Sequence, residues 1–343
     1  MIYRLVILFL LNTNIIYAET PENAIDWLDN QALSKTKTES NSNGYESLAD
    51  ASEIAETNIN SRNYNGIGVI SADISKINPD IWSEIAEDEL VKEIYSLPKI
   101  RFYSARSYLK RIMISETKPP KILSQKSRHE SYLVARLDKL IEMGALDEAE
   151  EMISQVIPLS KNVFDRWSSI ALLSGRLTKM CRQFITTPGL SNDLSLRIVC
   201  FARLGKWDTA VLILSNASAL NRIDKEKELL LVYHLNPSLV DTKSIKRISI
   251  KNDELAFYIL ESANLLDNIN DFEPKHLFRK LTKSHLPEKI FAAEKLAASK
   301  AINSAQLFQI YRSSYSETEI LPKRLKLVNN LDKALEENNK IAI

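Results

Sequence analysis

One short pattern, written three times, constrains this chain more than anything else in it. Gly144-Ala-Leu146-Asp-Glu-Ala149, Gly175-Arg-Leu177-Thr-Lys-Met180 and Gly205-Lys-Trp207-Asp-Thr-Ala210 follow one another with their glycines 31 and 30 residues apart. Each glycine closes an apolar-periodic run, with Leu140/Ile141, Ala171/Leu172 and Phe201/Ala202 four and three positions before it. Each also opens another, with Ile153, Phe184 and Leu214 nine positions after it. A chain that stops at a residue free to take positive φ and restarts about every thirty residues is expected to build stacked helical hairpins.

Composition points the same way. The 343 residues hold seven glycines, none after Gly205. Sheets with tight turns and phosphate-cradling loops both need glycine, so its scarcity favours helix. With 45% hydrophobic and 26% charged residues, a chain of this length can bury a sizeable core. The expected class is all-α: an irregular α-solenoid of helical hairpins, preceded by a disordered acidic leader.

Residues 1–18 read as an export signal. Arg4 supplies a positive start, Leu5–Leu11 a short apolar core, and Ile16-Tyr17-Ala18 a cleavage site ending at Ala18. That core is far short of the roughly 20 apolar residues a span requires, so no stable membrane span is expected after cleavage. The expected address is the bacterial periplasm or the exterior. Residues 19–95 carry 16 acidic against 5 basic residues, whereas 96–343 carry 28 against 39. A basic body with an acidic leader can bind an anionic surface or fold the leader back, although a solvated surface with an acidic tail is the plainer reading.

In chain order, 19–63 is expected to be a disordered acidic linker, with a short helix at 22–33 carrying Trp27. That aromatic-acidic piece is a candidate docking motif, to be tested by deleting 19–60. Residues 64–120 are expected to hold an extended piece at 66–73 and helices over 81–95 and 100–114. The body, 121–343, is expected to run as short helices at 130–143, 146–157, 162–174, 177–185, 192–204, 206–218 and 224–234. Further helices are expected at 253–266, 274–283, 287–298, 304–313 and 322–337. Ser160 and Ser191 are candidate N-caps, because a hydroxyl accepts from a free first-turn N–H. Lys300-Ala-Ile302-Asn-Ser-Ala305 reads as a degenerate fourth copy of the pattern.

In length and helix-turn-helix plan the repeat resembles the tetratricopeptide class, although that class places its glycine inside the first helix rather than at its end. The turn chemistry is closer to Sel1-like and other degenerate solenoid repeats. Within 98–214, Leu133–Gly144 and Arg166–Trp207 also resemble exported bacterial helical proteins. These resemblances imply a curved stack whose concave face grips peptides or protein segments, and they imply no particular activity.

Cys181 and Cys200 lie symmetrically about Pro188-Gly189. In an antiparallel hairpin they face each other, and in an oxidising compartment a disulfide follows; otherwise they are small core fillers. His129, His234, His276 and His285 are too sparse for a metal cluster, and His129-Glu130 lacks the second histidine of a zincin helix because position 133 is Leu. Neither a nucleophile elbow, a phosphate loop nor a dinucleotide fingerprint occurs, so no cofactor is expected. Asp147, Glu148 and Glu151 read as an exposed acidic helix face. Trp167 and Trp207 are expected to lock neighbouring hairpins. No basic run is interleaved with stacking aromatics, so nucleic acid is not an expected partner. The expected function is non-catalytic binding of envelope proteins or peptides, the competing one a cell-wall hydrolase on a superhelical body like that of lytic transglycosylases.

Overall fold

The computed structural model describes residues 63–100, 102–123, 130–266, 268–283, 285–314 and 323–336. The chain divides into Met1–Glu56 and Thr57–Ile343, and every described residue belongs to the latter. The export signal with Ala18, nearly all of the acidic leader with Trp27, and His129 therefore lie outside the described residues.

Among those residues the regular structure is helical. In order the helices are α1 (Ala72–Ser75), α2 (Glu87–Ser96), α3 (Tyr103–Ile114), α4 (Ser131–Met143), α5 (Leu146–Ser154), α6 (Lys161–Ser174), α7 (Leu177–Thr186), α8 (Leu194–Arg203) and α9 (Trp207–Ala219). They continue as α10 (Lys225–Leu235), α11 (Thr242–Ile245), α12 (Glu254–Ser262), α13 (Pro274–Leu277), α14 (Lys280–Lys283), α15 (Leu286–Ser299), α16 (Ser304–Ser313) and α17 (Lys323–Glu336). None of the described helices is long and apolar enough to cross a membrane.

The three glycines stand between α4 and α5, α6 and α7, and α8 and α9, with φ of +80°, +78° and +78°. At Gly144 and Gly205 the glycine N–H and the next N–H turn back to the last carbonyls of the preceding helix, which satisfies groups the helix leaves open. Asn221, Asn264 and Lys300 make the same left-handed turn after α9, α12 and α15. The Lys300 turn lies in the stretch read as a fourth copy.

Two expectations need correcting. The helix expected over 81–95 starts only at Glu87. The backbone of 79–87 is committed elsewhere: Pro79 accepts from Lys118 N–H, Ile85 from Lys121 N–H, and Glu87 N–H donates to Lys121. Groups held in those bonds are not free for a helical ladder. The helix expected over 274–283 breaks at Phe278-Arg279, where the Arg279 guanidinium reaches Tyr258 O (3.4 Å) and Ser262 Oγ (2.8 Å). Elsewhere the first-turn oxygens sit close to the expected places: Ser160 accepts from Val163 N–H, but Asp193 rather than Ser191 caps α8.

The extended piece at 66–70 runs beside 114–117 through isolated bonds, with a single parallel bridge between Ile70 and Ser115. One buried residue fastens this strip to the helices. Arg136, on α4, is fully buried and donates to Met113 O (2.7 Å), Ser115 O (2.8 Å), Ile67 O (2.7 Å) and Asn65 O (3.2 Å). The start of α4 is capped from a distance: Glu87 Oε1 accepts from Ser131 and Tyr132 N–H, and Asn65 Oδ1 from Leu133 N–H. A carboxylate there also meets the positive end of the helix dipole. One hydrophobic core thus runs from Leu90, Ile94 and Met113 through α4–α10 to α12, across the expected boundary near 120.

α4 packs on α5 and α6, α6 on α7, α7 on α8, α8 on α9 and α10. The chain then turns back. α12 lies against α6 and α10, and α13 against α4. Residues Leu255 to Glu261 are all buried, so α12 is a core helix rather than a further outward repeat.

Candidate functional site

The returning helices decide which surfaces of the 130–214 hairpins remain open. A Cβ placed on Gly144 would stand 2.8 Å from Pro274 O, and one on Gly175 would stand 3.3 Å from Arg279 Nε. The faces of α4 and α6 beside these corners are covered by α13 and α12. The groove expected of these hairpins is therefore filled by the chain itself on that side.

Two of the cavities among the described residues bear most on these hairpins. The first, about 460 Å³, follows the seam between α4, α6 and residues 252–275. Its walls are charged, but the charges are largely spent on one another. Arg166 holds Asp138 with two 2.8 Å bonds, and Tyr95 donates to the same carboxylate at 2.7 Å. Lys275 pairs with Glu254 (3.1 Å), Lys99 with Glu273 (3.3 Å), and Lys139 with Glu142 (2.8 Å). Burial and the neighbouring Asp138 push the Tyr95 hydroxyl up to about 12, which leaves it a donor at any ordinary pH. Asp165 is the lining carboxylate outside an ion pair; desolvation raises its pKa, Arg166 opposes the rise and Asp193 adds to it. Most of these pairs join segments far apart in sequence.

The second cavity is an open groove of about 850 Å³ between α5 and α7. Its floor is apolar: Ile153, Val156, Trp167 and Leu190, with Pro158 and Leu159 at one end. Trp167 stands edge-on to Phe164 (6.3 Å) and donates from Nε1 to Glu150 (3.4 Å), so the indole is held from both sides. At the rim Ile157 is 68% exposed, an unusual degree for a branched apolar side chain beside a concavity. The α5 wall presents Asp147, Glu150 and Glu151, and the α7 wall Arg176, Lys179 and Gln183. Arg176 bridges the walls, at 2.7 Å from Asp147 and 2.9 Å from Glu150. This groove, at about 850 Å³ larger than the charged seam, mixes a few polar groups with an apolar base, as ligand sites do.

The other residues singled out from sequence fall as follows. Cys181 and Cys200 form a disulfide between α7 and α8, with S–S 2.03 Å and Cα–Cα 4.9 Å, both fully buried. Glu148 is not part of a free acidic face: it pairs with Lys110 at 2.5 Å. Trp167 is buried as expected of a hairpin lock, whereas Trp207, expected to do the same, is 48% exposed. His276 lies between Phe257 (4.7 Å) and Phe272 (6.0 Å), His234 stands edge-on to Tyr258 (5.9 Å), and no group of ligand-type side chains suited to a metal occurs among the described residues. Arg136 and Glu87 were missed. Their signal was available in part, since Tyr132, Arg136 and Leu140 share one helix face at spacings of four. No protein-family model, no curated protein and no solved structure matches this chain.

Proposed function

We propose that this is an exported, non-catalytic helical-repeat protein of irregular solenoid type that binds protein or peptide segments in the bacterial cell envelope. The observation that carries the reading is the α5–α7 groove: an apolar floor on the repeat hairpins, left open where the opposite side is filled by α12 and α13. The buried disulfide supports an oxidising compartment, where such bonds persist, and agrees with the export signal read at 1–18. The left-handed turns at Gly144, Gly175 and Gly205 support the degenerate repeat reading.

The test is capture from envelope extract by the purified full chain and by Ile157→Asp. Because Ile157 is exposed, the variant should keep the helical circular-dichroism signal and melting temperature. Retained partners should fall several-fold, because the substitution sets a carboxylate on the rim of an apolar floor; undiminished retention would remove the groove from the account.

A hydrolase reading draws on the charged seam. Glycoside hydrolysis uses two carboxylates acting across the scissile bond. Among the described residues Asp165 is the one lining carboxylate outside an ion pair, which is why binding is preferred. Peptidoglycan turnover by the full chain that disappears in Asp165→Asn would reverse that preference.

A further inference from the structure

The two walls of the α5–α7 groove carry opposite charge, and each wall holds one charge outside an ion pair among the described residues. On α5, Asp147, Glu150 and Glu151 share a face through spacings of three and four; on α7, Arg176, Lys179 and Gln183 do so through three and four. At one end Arg176 closes the walls by binding both Asp147 and Glu150. Within one turn of that closure, Glu151 and Lys179 have no ion-pair partner among the described residues, and both are exposed. Gln183 spends its amide N–H on Thr187 Oγ1 (3.3 Å), leaving its carbonyl oxygen available. Between these groups lies the apolar floor of Ile153, Val156 and Trp167.

We infer, on the reading that this groove binds peptide, that its occupant is a short extended segment with one large apolar side chain flanked by a cation and a carboxylate. The apolar side chain takes the floor, the cation meets Glu151 on the α5 wall, and the carboxylate meets Lys179 on the α7 wall. Length agrees with an extended chain. The nine residues of α5 span about 14 Å, close to the roughly 13 Å of four extended residues. An uncharged apolar segment fills the floor but leaves both wall charges unanswered. A segment of a single charge sign answers one and repels the other, so the paired arrangement selects against both.

The experiment uses the full chain and a dye-labelled pentapeptide, blocked at its carboxyl end, of sequence Ala-Lys-Leu-Glu-Ala, followed by fluorescence anisotropy. Comparison peptides replace Lys and Glu with Gln, or Leu with Ala. Glu151→Lys and Lys179→Glu are each expected to weaken the charged peptide about five-fold, the effect of losing one partly shielded ion pair. Both should leave the Gln peptide within about two-fold, and the double reversal should recover the charged peptide because it only exchanges the walls. The Ala-for-Leu peptide should lose most binding. Equal binding of charged and Gln peptides, with single reversals silent, overturns the charge selection while leaving the groove as an apolar site. Failure of wild type to bind any of these peptides overturns the inference outright, and the Ile157→Asp capture then decides separately whether the groove binds at all.

Discussion

Gly144 and Gly205 hold almost the same backbone conformation in different surroundings. Gly144 has φ +80° and Pro274 O at its back, 2.8 Å from where a Cβ would stand; Gly205 has φ +78° and nothing within 4 Å. Gly205→Ala should therefore cost only the left-handed penalty, about 1 kcal/mol. Gly144→Ala should cost that plus the displacement of α13, in total about 3 kcal/mol. Urea unfolding of the two variants checks this, and equal losses would mean that α13 does not press on the corner. Glycine announces such corners in sequence; Asn221, Asn264 and Lys300 make the same turn with a weaker signal, since asparagine takes it only sometimes and lysine needs a contact to hold it. At Lys300 one such contact is the ammonium over the Tyr103 ring, 3.2 Å from its centre. Arg136 is the other residue on which much depends. Burial lowers its pKa, and its partners are backbone carbonyls. Arg136→Met should lower stability by about 3–5 kcal/mol by leaving those carbonyls unpaired in the core, measured by the same unfolding; a loss under about 1 kcal/mol would show that the strip at 64–70 is held by other means.

At the scale of elements, the return of α12 onto α6 and of α13 onto α4 is the feature least legible in the sequence. Helix 253–266 was readable from its apolar residues and its Asp253 start, and Asp253 does accept from Ala256 N–H. What no local pattern shows is that both its faces are covered, because that depends on α6 and α10, each more than fifteen residues distant. The groove was correspondingly unreadable: α5 and α7 line it over Trp167, and no later helix among the described residues contributes to its lining. The return segment also has a pH signature. His276 is 4% exposed and its Nε2 has no hydrogen-bond partner. Desolvation, assisted by Lys275 and opposed by Glu273 and Glu254, lowers its pKa from 6.5 to about 4. The unfolded chain therefore binds a proton more readily than the folded one. The stability due to neutral His276 is fully present above pH 6.5 and is lost as pH falls toward 4. Between pH 7 and 4.5 the wild type should lose about 2–3 kcal/mol more than His276→Leu, read from denaturation midpoints at each pH. Parallel losses would place the histidine outside the acid response.

For the whole molecule, the helical class followed from few glycines and a repeated stop, and the disulfide from two cysteines placed evenly about a turn. Function was less legible, since a solenoid reading directs attention to a concave face, and here the chain covers part of that face with its own helices. The binding proposed for the α5–α7 groove was hidden for the same reason, since its floor residues Ile153, Val156 and Trp167 read individually as core. The most direct measurement is site-specific photocrosslinking in cells that export the protein, with a photoreactive phenylalanine analogue at Ile157 on the groove rim or at Leu212, 60% exposed on α9. A groove that binds envelope proteins or peptides predicts discrete adducts from position 157 and none from position 212; adducts from 212 alone, or from neither position, would contradict it.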